Sequence, residues 1–192
     1  MDPKELGQIR LKQVGIMNGL VIAFVLILYV VTSLYPIKFS HFFLALGLLV
    51  LFQGIYGLIK GSSTKSIFPH VEKVAIYEKG KMGETWGKQR KVSHITSLIL
   101  SILFFLQAFL NRDYSAGHLF QIDFVYMLII VFFLLLFMNV GMIFHFRKVD
   151  HSTSERDWKG YTWKTTLLGV VLGIVFTILI IGFTVSYIIS SI

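Results

Sequence analysis

The sequence predicts an all-α integral membrane protein: a five-span transmembrane helical bundle, with the N-terminus cytoplasmic and the C-terminus extracytoplasmic. Three observations predict it. The 192-residue chain is 55% hydrophobic, with a mean hydropathy of +0.75. Only 15% of its residues are charged, against about a quarter in soluble domains, and the charges are segregated between apolar runs long enough to cross a bilayer as helices. Of the 18 Lys and Arg residues, all but Lys38 and Arg112 fall in residues 1–13, 60–94 and 147–164. That bias is the signature of cytoplasmic segments.

The elements follow in order, as one membrane domain over 1–192. Residues 1–13 are polar, with Lys4, Arg10 and Lys12. The apolar run 14–34 is too long for a signal-peptide core and is followed by no small-x-small cleavage site, so it reads as an uncleaved first span. Tyr35-Pro36 stops it, because Pro36 has no N–H and pushes the preceding residue toward extended geometry. Span two covers 39–59. The basic loop 60–94 follows. In it either Pro69 starts a short amphipathic helix in the cytoplasmic interface, with Phe68, Val71, Val74 and Ala75 at helical spacing and Gly80 and Gly83 as interruptions before a Trp86-anchored return, or the stretch is a solvated loop with scattered apolar residues. Span three, 95–110, is the shortest and holds Ser97, Ser101 and Gln107. Span four runs over 124–146. The second basic loop, 147–164, contains Ser154-Glu155-Arg156-Asp157, an N-cap followed by first-turn acids. Span five covers 165–189.

Charge and cysteine content exclude further classes. The formal charge of +8 and the pI near 9.7 point to anionic lipid headgroups rather than nucleic acid, since no aromatic-basic reading motif accompanies them. The chain has no cysteine, hence no disulfide, thiolate metal site or cysteine nucleophile. It has no HExxH, P-loop, GxSxG or GxGxxG motif either. Catalytic, cofactor and metal residues are therefore expected to be none. His41 and His118, near Asp113 and Asp123, form no recognisable ligand spacing.

What remains as candidate chemistry is polar contact. Intramembrane Asn18, Gln53, Gln107 and Asn139 suit interhelical hydrogen bonds or, alternatively, a polar path; Ser97, Ser101 and Thr177 accompany them. Gly15-xxx-Gly19 and Gly169-xxx-Gly173 permit close helix packing, with Gly54, Gly57 and Gly141 in support. Ser62, Ser63 and Thr64 form a hydroxyl cluster beside Lys60 and Lys65. Trp86, Trp158, Trp163, Lys88, Arg90 and Lys91 are candidate interfacial anchors or docking residues.

The expected function is that of a small non-catalytic protein of the cell (plasma or inner) membrane acting through helix and loop contacts, as an accessory or regulatory subunit or an immunity-type protective protein. Its expected partners are anionic headgroups at the cytoplasmic face and a membrane protein or a second copy of itself. An oligomeric transporter or channel protomer is the alternative. A lipid-modifying enzyme using Asp113, His118 and Asp123 is the third class.

Overall fold

The structure is a computed structural model that describes residues 2–35, 37–113 and 124–190; for Pro3, Tyr126, Glu155 and 184–190 it describes the backbone path alone. Six α-helices and a 3-10 turn make up the described residues, which contain no strand: α1 (Pro3–Leu34), α2 (Phe39–Lys60), α3 (Pro69–Met82), α4 (Glu84–Leu110), α5 (Phe124–His151), the 3-10 turn (Glu155–Trp158) and α6 (Tyr161–Ser190). Five of them, all but α3, are long and apolar enough to cross a membrane. The chain is a multi-pass membrane protein.

Apolar runs locate these helices, but the polar flanks extend them. The expected span over 39–59 coincides with α2, whereas α1 starts at Pro3 and not at 14, and α4 starts at Glu84 and not at 95. In the same way α5 continues to His151 and α6 begins at Tyr161. Lys, Glu, Gln and Arg are good helix formers, so a helix started in the apolar run propagates through them once water satisfies its end.

The described residues group into two compact units, residues 1–22 with 122–192, and residues 23–121; α1 runs from the first into the second. In the second unit, α2 and α4 form a closely packed antiparallel pair. The buried residues of α2 are Gly47, Gly54 and Gly57. A Cβ at Gly47 would meet Phe105 Cε1 at 2.6 Å, one at Gly54 would meet Leu98 Cδ2 at 2.7 Å, and one at Gly57 would overlap the His94 ring. Residue numbers rise on one helix as they fall on the other, as an antiparallel pair demands. Large side chains of α4 thus seat in hollows left by missing side chains of α2, the way helices gain dispersion contacts where lipid removes any hydrophobic drive. Buried Ser101 and Ala108 keep α4 narrow on the same side.

Of the two alternatives at Pro69 the helix forms: it is α3, with Pro69 in its first turn. It buries Val74, Glu78 and Met82, spaced four apart and so on one face. Gly80 continues the helix; Gly83 ends it, at φ +56°, a backbone region that L side chains rarely adopt. The reversal into α4 follows at once.

In the first unit, α5 and α6 pair through aromatic rings. Phe133 lies 5.5 Å from Phe183 and Phe137 lies 6.0 Å from Phe176, the latter edge-on, both within the range of favourable ring pairs. Toward the other end of this helix pair the same register brings His145 Nδ1 within 2.7 Å of the Tyr161 hydroxyl. Between α5 and α6, Asp157 Oδ2 accepts the backbone N–H groups of Thr153 and Ser154, at 3.0 Å each. The expected Ser154 cap therefore belongs to the 3-10 turn, and Gly160 at φ +71° leads into α6. Trp158 packs edge-on against Tyr161 at 5.1 Å.

Candidate functional site

The most elaborated polar surface lies where α2 ends and α4 begins. A helix C-terminus leaves its last carbonyls without intrahelical donors and carries negative partial charge. Here the linker after α2 is tied down by cations: Lys79 Nζ donates to Ser62 O at 3.0 Å and Arg90 Nη1 to Ser63 O at 3.1 Å. The hydroxyl cluster of residues 62–64 is thus held mainly through its carbonyls. Both cations also lie over the Trp86 ring, Lys79 at 5.7 Å and Arg90 at 4.7 Å from its centroid. Such contacts stabilise by about 0.5–2 kcal/mol each, more where water is excluded. Trp86 is buried, and Glu78, buried on α3, acts electrostatically on Arg90.

Beside this cluster, Gly57, Leu58, Gly61 and Ser62 face Gly87, Lys91 and His94 across a pocket of about 240 Å³. Gly87, Lys91 and His94 follow one another at helical spacing on a single face of α4. The His94 ring rests on Gly57, and its Nε2 is buried with no hydrogen-bond partner. Lys60 and Arg90 both act on His94 electrostatically. The combined charge suits an anionic group. Lys88 is well exposed and pairs with Glu84 at 3.7 Å, an exposed helical pair worth about 0.3–0.5 kcal/mol.

The remaining candidates are distributed as follows. Asn18 and Asn139 meet: each amide donates to the other's oxygen, at 3.3 and 3.2 Å, and Asn139 Nδ2 also reaches Leu135 O at 2.8 Å. Gln53 and Gln107 are exposed, and Gln107 Oε1 accepts from Asn111 at 3.4 Å. A Cβ at Gly15, Gly19, Gly141, Gly169 or Gly173 would meet nothing within 4 Å, so close packing within the chain rests on Gly47, Gly54 and Gly57. Trp158 is buried, with Lys148 5.9 Å from its centroid, whereas Trp163 is 70% exposed. Asp113 pairs with Arg112 at 3.0 Å. His118 and Asp123 lie outside the described residues, as does Pro36. Among the described residues no group of three or more His, Cys, Asp or Glu is placed to hold a metal ion.

Comparison with protein-family models, with curated proteins and with solved structures finds no match.

The sequence alone does not single out Gly47, the seat of His94 on Gly57, the Arg10–Asp150 pair or the His145–Tyr161 bond. The glycines carried a usable signal in their spacing of seven and three; the pairings, between distant positions, carried none.

One expectation arises directly from the asparagine pair. Asn18→Leu should lower the thermal midpoint in detergent by only a few degrees, corresponding to about 1 kcal/mol for an interhelical hydrogen bond in a membrane protein. The double variant Asn18→Leu/Asn139→Leu should be no worse than the single, because no amide is then left without its partner. Additive losses would show that the two residues act separately.

Proposed function

We propose that this protein works in the cell (plasma or inner) membrane through contacts rather than by turnover, as an accessory or regulatory subunit or an immunity-type protective protein. The observation that supports this best is how its intramembrane polar groups are used. Asn18 and Asn139 close on each other. Ser97, Ser101 and Thr177 bond back to the Ser93, Leu98 and Gly173 carbonyls of their own helices, at 3.1, 2.7 and 2.9 Å. The asparagine pair braces two helices, and hydroxyls bonded back to their own helix offer little to a translocating solute.

The orientation belongs to the same proposal: N-terminus cytoplasmic, C-terminus extracytoplasmic, with both basic loops facing anionic headgroups inside. The positive-inside bias supports it, and so does the ion pair between Arg10 and Asp150 at 3.1 Å. That pair puts the start of α1 and the end of α5 at the same level, as two segments on one side of the membrane require. The exposed Trp163, Lys88 and Lys91 are the residues through which a cytoplasmic or membrane partner, or a second copy, is contacted.

The test is purification of the tagged protein from its native membrane in mild detergent, with mass spectrometry of what accompanies it. A stoichiometric partner is expected. The combined variant Trp163→Ala/Lys88→Glu/Lys91→Glu should lower its recovery by about tenfold or more, as loss of an interface's principal contacts does. Solute flux in proteoliposomes well above the protein-free control would overturn the reading in favour of a transporter or channel protomer.

A further inference from the structure

Lys38 and Arg112 are the two exceptions to the basic-residue bias of this chain, and the structure brings them to one place. The start of α2 supplies Lys38, Ser40, His41 and Leu44; the end of α4 supplies Phe105, Ala108, Phe109 and Arg112. Together they line a pocket of about 410 Å³. Antiparallel packing of α2 on α4 makes these ends meet, so two basic residues far apart in sequence converge with a histidine between them.

The pocket has two kinds of wall. Lys38 and His41 are exposed, and the Arg112 guanidinium lies 4.7 Å over the Phe109 ring. Its ion pair with Asp113 is solvent-exposed, with side chains 61% and 85% accessible, and an exposed pair of this kind yields readily to a competing anion. Beneath the cations, Leu44 and Phe109 present exposed apolar surface, 45% and 60% accessible, and Phe105 adjoins them. Lys38 immediately precedes α2, and Arg112 closely follows the last residue of α4, Leu110. Both therefore flank apolar helices at the depth where lipid headgroups lie.

We propose that this pocket binds an anionic phospholipid, its phosphate held by Lys38, His41 and Arg112 and one acyl chain lying on Leu44, Phe105 and Phe109. Basic residues at headgroup depth attract anionic headgroups by charge, here on the face that the proposed orientation makes extracytoplasmic. Arg adds a planar fork of N–H donors that matches phosphate oxygens. The site is separate from the basic surface at the other end of α2 and α4, and does not depend on the contact-based function proposed above.

Native mass spectrometry of the delipidated full-length protein tests it, by titration with phosphatidylglycerol, with phosphatidylcholine of the same chains, and with soluble glycerol phosphate. Wild-type protein should bind one phosphatidylglycerol about tenfold more tightly than phosphatidylcholine, because both present the same phosphodiester but the choline cation of the latter is repelled by Lys38 and Arg112. Lys38→Gln/Arg112→Gln should erase that preference, while Lys12→Gln, at a residue that lines neither pocket, leaves it unchanged. The wild-type lipid preference decides the matter even if the double variant does not fold: equal binding of the two lipids overturns the proposal. Preference retained by a folded double variant overturns it too. Glycerol phosphate competing as well as the lipid would remove the part assigned to the apolar floor and leave a free phosphate site.

Discussion

Gly57→Ala is expected to destabilise the protein more than alanine at any other glycine, lowering the thermal midpoint in detergent by about 10 °C. In an isolated helix the change is favourable by about 1 kcal/mol, because alanine loses less backbone entropy. At Gly57 the added methyl would overlap His94 Cγ, Nδ1 and Cε1. Those atoms reach back to the base of the side chain, so rotating a flexible tip does not clear them. The ring must leave its well or the helices must part. Overpacking costs about 1–3 kcal/mol and on occasion more; overlap with three ring atoms puts this site at about 4 kcal/mol, and the roughly 3 kcal/mol left after the gain in helix propensity corresponds to about 10 °C in a chain of this size. Gly47→Ala should cost less, since its neighbours are the outer atoms of the Phe105 ring; Gly54→Ala falls between, with Leu98 Cδ2 and the His94 carbonyl close by.

The internal controls are Gly15, Gly19, Gly169 and Gly173. A Cβ there meets open space, so alanine should leave stability unchanged or raise it by up to about 1 kcal/mol. A double-mutant cycle locates the cause. His94→Ala should restore most of what Gly57→Ala removes, with a coupling of about 2 kcal/mol, as expected for residues in direct contact. Independent, additive losses would mean that the two residues do not share the interface. A Gly57→Ala midpoint equal to wild type would show that α2 and α4 pack through another face.

Much of the helix inventory was legible in the sequence because it depends on a local property. An apolar run long enough to span a bilayer has few alternatives to a helix, since every backbone group inside must be bonded within the chain. The short helix at Pro69 was legible only as one of two alternatives: proline opening a stretch of helical periodicity is a local signal, and what decides against a solvated loop is the burial of Val74, Glu78 and Met82. Partner choice is not local. Arg10 and Asp150 meet across a separation of 140 residues and Asn18 and Asn139 across 121, and no spacing rule anticipates either. The glycines illustrate a subtler limit. A four-residue template picks out Gly15-xxx-Gly19 and Gly169-xxx-Gly173, while the close approach uses Gly47, Gly54 and Gly57. Their spacing matches the seam of a left-handed helix pair rather than a GxxxG crossing. Tryptophan was equally ambiguous: the same residue type is buried at 86 and 158 and exposed at 163, and only the packing of its neighbours decides which.

Asp150→Asn is expected to lower stability by about 3 kcal/mol, at the low end of what breaking a buried ion pair costs, and Arg10→Met by about 2 kcal/mol, below that range because the pair is only part-buried. The order follows from burial. The Arg10 side chain is 8% exposed and that of Asp150 25%. Removing the carboxylate therefore takes the countercharge from the better-buried group, whereas removing the guanidinium leaves an anion that water reaches. Arg10 has further neighbours, Gln13 Oε1 at 3.2 Å from Nη1 and the Phe146 ring 4.2 Å beneath its Cζ. Arg10→Lys keeps the charge but loses the planar stack and the fork of donors, and should recover no more than about half of the loss. The neutral pair Arg10→Met/Asp150→Asn should come back to within about 1 kcal/mol of wild type, because a matched apolar or neutral substitution carries no stranded charge. Thermal unfolding of all four variants, repeated at low and high salt, checks this. A buried pair should respond little to ionic strength, whereas an exposed one is screened over about 8–10 Å at physiological salt. If Asp150→Asn stays within about 0.5 kcal/mol of wild type, the residue is not a clasp between α1 and α5.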